Sequence, residues 1–117
     1  MKYNYEYTVK YQEVDASRKL RLFNLENYLL EVAGITADAM GIGISTLRPM
    51  GLTWILTRMS IEMQELPSHC EKLYFETWIE SNQYELSEPG IVIIKVRDAV
   101  GNIAENEIEV VRQALPV

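Results

Sequence analysis

Two carboxylates stand out as groups that could do chemistry. Asp15 lies in a short polar loop, Val14-Asp15-Ala16-Ser17-Arg18-Lys19, directly ahead of a helical pattern. Glu31 lies within that pattern, two turns past Asn24. A carboxylate can activate water or attack an acyl carbonyl itself. Backbone N–H groups at a helix N-terminus can polarise the same carbonyl, because the dipole is positive there. The other reactive side chains are weaker candidates. His69 and Cys70, the single histidine and the single cysteine, are neighbours in Leu66-Pro67-Ser68-His69-Cys70-Glu71, which reads as a turn. Adjacent residues of an extended chain point in opposite directions, so a Cys–His dyad is not expected. One His and one Cys make no metal-ligand set, and no metal or other cofactor is expected. No Gly-x-Ser-x-Gly elbow is present, which disfavours a serine hydrolase.

The elements that would position these groups follow from periodicity. Tyr3, Tyr5, Tyr7, Val9 and Tyr11 alternate with Asn4, Glu6, Thr8 and Lys10, which predicts a half-buried antiparallel strand over 3–11. Leu25, Leu29, Val32 and Thr36, with Tyr28, Ile35 and Ala39 beside them, have helical spacing. The helix is expected from an Asn24 N-cap to about Met40, with Gly41 as the C-cap glycine. Gly34 inside it costs about 1 kcal/mol relative to Ala, and close approach of the helix to a strand would explain it. Gly41-Ile42-Gly43 has the look of a phosphate loop, but these glycines end a helix instead of starting one. After the turn at Arg48-Pro49-Met50-Gly51 come strands expected at 52–65, 72–80, 90–97 and 103–112. Asn82–Pro89 is polar and irregular, and Asp98–Asn102 reads as a hairpin connection using Gly101. The order is strand, helix, then four strands. This is an α+β chain in which one long helix is wrapped by an antiparallel sheet of about five strands, the description of a hotdog fold.

Composition bounds the rest. The chain has 117 residues and is expected to form one hotdog domain over 1–117. A net charge of −6 argues against nucleic acid and against an anionic membrane surface. No stretch approaches the ~20 apolar residues of a membrane span. Arg18, Lys19 and Arg21 form the only compact basic run, which reads either as a solvated loop or as the patch a strongly acidic partner would need. One cysteine allows no internal disulfide, which fits a reducing, cytoplasmic location.

Five stretches resemble a known family: Tyr11-Gln12-Glu13-Val14-Asp15, Asn27–Ala33, Met40-Gly41-Ile42-Gly43, Gly51–Met59 and Glu76-Thr77-Trp78-Ile79. They are similar to the acyl-ACP thioesterases of bacteria and plants, over roughly residues 5 to 81. The Trp-Ile-Leu-Thr-Arg strand and the later Thr-Trp pair are the most specific parts. The positions resemble the first of two hotdog repeats, whereas the family's catalytic Asp, Asn and His belong to the second. The resemblance implies a fatty-acyl thioester as substrate, hydrolysed or accommodated in fatty acid biosynthesis, with an acyl carrier protein as a candidate partner. In single-domain hotdog thioesterases the carboxylate sits in the loop before the helix or on the helix, places comparable to Asp15 and Glu31. An acyl pocket between helix and sheet would use Leu29, Val32, Met40, Trp54 and Leu56. Two alternatives are a non-catalytic acyl-binding module and a dimeric acyl-CoA thioesterase. A lone hotdog leaves open sheet edges, and pairing of two copies would cover one on each, so a homodimer is expected.

Overall fold

The first strand, β1 (Tyr3–Thr8), turns Tyr3, Tyr5 and Tyr7 inward and Asn4, Glu6 and Thr8 outward. It ends earlier than the tyrosine alternation suggests. The computed structural model describes residues 2–81 and 89–114, and in it Tyr11–Glu13 form a 3-10 turn. Tyr11 therefore leaves the stripe, stands exposed and meets the His69 ring edge-on, with centroids 5.6 Å apart. A tight hairpin follows, closed by the Val14↔Leu20 bridge. Its tip is held by Asp15, whose Oδ1 accepts the Ser17 and Lys19 N–H groups at 2.8 and 3.1 Å.

Helix α1 (Leu22–Ala39) starts two residues before the Asn24 expected as its cap. Asn24 is not the N-cap; Arg21 is, without a side-chain cap. The cause is tertiary. The Arg21 N–H donates to the Glu13 carbonyl at 2.9 Å, which fixes the entry of the chain as soon as the hairpin closes. The core face of α1 is Leu25, Tyr28, Leu29, Val32 and Thr36, at the expected spacing. Ile35 and Ala39 lie outside it, exposed. The helix ends as expected at Gly41, which takes φ +75°. Gly41 N–H donates to the Asp38 carbonyl and Ile42 N–H to the Ala37 carbonyl, the paired bonds of a Schellman motif. A short α2 (Ile44–Leu47) and a 3-10 turn (Arg48–Met50) then lead to Gly51. Gly41-Ile42-Gly43 thus joins two helices, with no strand before it.

Four strands complete the sheet: β2 (Leu52–Ser60), β3 (Lys72–Ser81), β4 (Pro89–Arg97) and β5 (Ile103–Ala114). Their order is β1-β3-β4-β5-β2, with every neighbouring pair antiparallel. β2 stops at Ser60 and not at Glu65. Asn106 on β5 accepts the Glu62 N–H at its side-chain oxygen, so the chain past Ser60 is anchored by a side chain instead of a ladder. Between Leu56 and Arg58 the register shifts, and Thr57 is the extra residue. The irregular segment expected at Asn82–Pro89 falls, over 82–88, outside the described residues.

The helix lies across one face of this sheet. Leu25, Leu29 and Val32 pack with Leu73, Phe75, Val92, Ile94, Val96 and Ile108. Each fully buried side chain of this size contributes roughly 1.5–3 kcal/mol. This is the expected α+β hotdog architecture. Among the described residues no single helix is long and apolar enough to cross a membrane. None of their His, Cys, Asp and Glu side chains form a group of three or more that could hold a metal ion.

Candidate functional site

A pocket of about 230 Å³ opens between α1 and the β4–β5–β2 half of the sheet. Leu30 and Gly34 come from α1, Trp54 and Leu56 from β2, and Val92 and Ile108 from the sheet floor. Only apolar residues line it. Water in such a space gains few hydrogen bonds, so an apolar occupant is favoured. Trp54 is fixed by its indole N–H, which donates to the Ile42 carbonyl at 2.7 Å. That bond ties the glycine-marked exit of α1 to β2, so two of the five stretches singled out in the sequence meet at the pocket. A Cβ on Gly43 would collide with the Asp38 carboxylate, so the close turn there requires glycine.

Gly34 does something other than expected. A Cβ placed on it would meet nothing within 4 Å. It approaches no strand; it faces the pocket and leaves the space open. Trp54 and Leu56 line the pocket, while Leu29 and Val32 sit one helical face away, fully buried in the core. Met40 is at the C-cap of α1, exposed and outside the lining.

On the other flank of α1 is a polar pair of pairs. The Tyr7 hydroxyl donates to Glu31 Oε1 at 2.7 Å, and the Tyr28 hydroxyl donates to Glu13 Oε1. The Lys10 N–H also donates to Glu13 Oε1, at 2.9 Å. The Tyr7 and Tyr28 rings are tilted against each other with centroids 4.6 Å apart, and Phe75 meets Tyr7 edge-on at 5.2 Å. Burial first, and then the hydrogen bond to a carboxylate, pushes both phenols well above their usual pKa. They stay protonated and act as donors.

The structure therefore separates the two predicted carboxylates from the pocket. Asp15 is exposed at the hairpin tip, occupied with backbone N–H groups. Glu31 is exposed and follows pocket-lining Leu30 by one residue, a rotation of about 100° around the helix. Its partner Tyr7 is on β1, at the sheet edge opposite β2. Glu13 and the Tyr7–Tyr28 contact were not singled out from sequence. The ring contact was signalled only by the tyrosine alternation of 3–11 and by Tyr28 in the helical stripe, and nothing signalled Glu13. The His69–Cys70 reading is corrected. Cys70 adopts φ +70°, so the chain is not extended there, and its Sγ lies 3.3 Å from His69 Nε2. Lys19 of the basic run is held by Glu65 at 2.7 Å and Ser68 at 3.1 Å, while Arg18 and Arg21 are exposed.

Comparison with known proteins fits this arrangement. The family model for the acyl-ACP thioesterase N-terminal domain matches residues 1–110. The chain belongs to that family. It is 28% identical over 87 residues to the chloroplastic oleoyl-acyl carrier protein thioesterase of Coriandrum sativum, covering 69% of this chain and 24% of that protein. Among solved structures, an acyl-ACP thioesterase from Bacteroides thetaiotaomicron superposes with a TM-score of 0.86 and 32% identity, covering 97% of this chain and 46% of that one. The DHNA-CoA thioesterase of Staphylococcus aureus has a TM-score of 0.82 at 14% identity, covering 97% and 74%. The last likeness shows the fold alone. The chain spans about a quarter of the plant relative and about half of the Bacteroides protein. As an acyl-ACP thioesterase N-terminal domain, it is thus a hotdog unit of a family whose members handle acyl thioesters.

Proposed function

We propose that this domain holds the acyl chain of a fatty-acyl thioester, carried by acyl carrier protein, in the pocket between α1 and the sheet. The observation that carries the reading is the pocket itself, lined by apolar residues that include the fixed Trp54. The thioester head then lies at the mouth, where Leu30, Ile44 and Leu56 are exposed. Hydrolysis places a water oxygen on the thioester carbonyl and breaks the C–S bond, giving a free fatty acid and the carrier thiol. For one chain, the carboxylates lie on the far flank of α1 or at the hairpin tip. Completion of the site by a second hotdog unit accounts for that separation.

In the homodimer we propose, β2 of one copy pairs with β2 of the other. It is an open edge with Ile55 and Leu56 exposed, and pairing would satisfy its free backbone groups. Asp15 and Glu31 are the carboxylates proposed to activate water; β2 pairing leaves them on the β1 side of each copy, so this role requires the thioester head to reach that flank of α1. The exposed free thiol of Cys70 supports a reducing, cytoplasmic setting in lipid metabolism. A second reading, a dimeric acyl-CoA thioesterase, is favoured by the fold match to a CoA thioesterase of which this chain spans 74%. Acyl-ACP and acyl-CoA substrates of several chain lengths, followed by thiol release, separate the readings. Release from acyl-ACP that falls in Asp15→Asn or Glu31→Gln supports the hydrolase. Fatty-acid binding without release supports an acyl-holding module. No binding and no release would refute both.

A further inference from the structure

We infer that Gly34 sets the length of acyl chain the pocket accepts, and that the natural pocket takes a chain of about nine carbons. This rests on the acyl-binding reading above and makes it specific. The length follows from volume. An apolar protein cavity of about 150 Å³ holds one benzene, or about 25 Å³ per carbon. The pocket's 230 Å³ then holds about nine methylene-sized groups.

The assignment to Gly34 follows from what surrounds it. The lining is built from large side chains on the β2 side, Trp54 and Leu56, and from Ala33, Gly34 and Ala37 on the helix side. Trp54 cannot swing aside without losing its bond to the Ile42 carbonyl. Leu30 and Leu56 are already partly in solvent at the mouth. Gly34 lines the pocket at an exposed position on α1, and an added Cβ there meets no atom within 4 Å. Its backbone is helical and not left-handed, so the missing Cβ is not demanded by conformation. Nor is it demanded by packing. What glycine supplies at this position is empty volume, which an acyl chain would use.

The test is a chain-length series. Free fatty acids from about six to about sixteen carbons are titrated against the natural protein, Gly34→Ala and Gly34→Leu, displacing a fluorescent fatty-acid probe. Each methylene that enters the pocket tightens binding about threefold to fourfold, from about 0.8 kcal/mol of burial. Affinity of the natural protein should therefore rise steadily to about nine carbons and then level off. The break should move down by about one carbon in Gly34→Ala and by about four in Gly34→Leu. A merely structural disturbance lowers all affinities together and leaves the break in place. A fixed break in folded variants, or a natural break beyond about fourteen carbons, overturns the inference. If Gly34→Leu does not fold, Gly34→Ala decides, since its methyl meets nothing. Failure of the natural protein to bind any chain overturns the acyl-binding reading itself.

Discussion

The same substitution at two glycines, one inside α1 and one just past its end, should have opposite effects. Gly34 lies in the interior of the 18-residue α1, with a helical backbone and open space where a Cβ would go. Alanine there restricts the unfolded chain and adds no clash, a gain of about 0.8–1 kcal/mol. For a domain of this size that is a rise in Tm of about 3–5 °C. Gly41 also has free space around it, but its φ is +75°. An L side chain in that region costs about 1–2 kcal/mol, and the two Schellman bonds to Asp38 and Ala37 are strained with it. Urea unfolding of Gly34→Ala, Gly41→Ala and the natural protein measures both effects. Midpoints should shift up and down respectively, at unchanged slope. Destabilisation by Gly34→Ala would refute the reasoning, because it would mean that Gly34 packs against something and that the pocket is closed there. A gain in stability coupled to a loss of long-chain binding would show that the helix carries its glycine for the pocket and not for the fold.

Three further outcomes are expected. Tyr28→Phe removes the donor to half-buried Glu13 and should cost about 1–2 kcal/mol in the same unfolding assay, with the Tyr7–Tyr28 ring contact retained. Both phenols are held above the ordinary tyrosine value of about 10 in the folded state. The native state therefore binds more protons than the unfolded state above that pH, so stability is full below about pH 10 and falls as pH rises beyond it. Phenolate absorbance should show Tyr7 and Tyr28 ionising only as the chain unfolds; loss of both phenol protons in still-folded protein near the ordinary value would contradict this. Size-exclusion with light scattering should give a dimer, and a strict monomer would remove the β2-pairing proposal.

Much of the fold was legible because it is periodic. Tyr3, Tyr5 and Tyr7 alternate, Leu25, Leu29, Val32 and Thr36 recur at helical spacing, and the β4–β5 pairing follows from the hairpin at Asp98–Asn102. Boundaries set by tertiary contacts were not legible. The start of α1 depends on a bond between Arg21 and Glu13, and the end of β2 on the Asn106 side chain. The pocket was half legible. Trp54 and Leu56 are the pocket residues expected on the family-like strand, and both line it. On α1 the apolar stripe is wide enough to serve two surfaces, and spacing alone does not divide Leu29 and Val32, in the core, from Leu30 and Gly34, on the pocket. A helix-interior glycine likewise reads the same whether it faces a strand or a void. The Tyr–Glu pairs bring together residues 15 and 24 positions apart, which one sequence cannot register.

The central claim is that an acyl chain enters the space between α1 and the sheet. The two tryptophans report on it separately. Trp54 lines that space, whereas Trp78 projects from the opposite sheet face with the Lys2 and Lys95 ammonium groups over its ring at 4.6 and 5.7 Å. A medium-chain fatty acid brominated near its tail quenches indole fluorescence on contact. In Trp78→Phe, where Trp54 is the remaining reporter, saturable quenching is expected, reversed by unbrominated fatty acid. In Trp54→Phe, Trp78 should keep its emission. Quenching of Trp78 with Trp54 untouched would place the chain elsewhere and contradict the account.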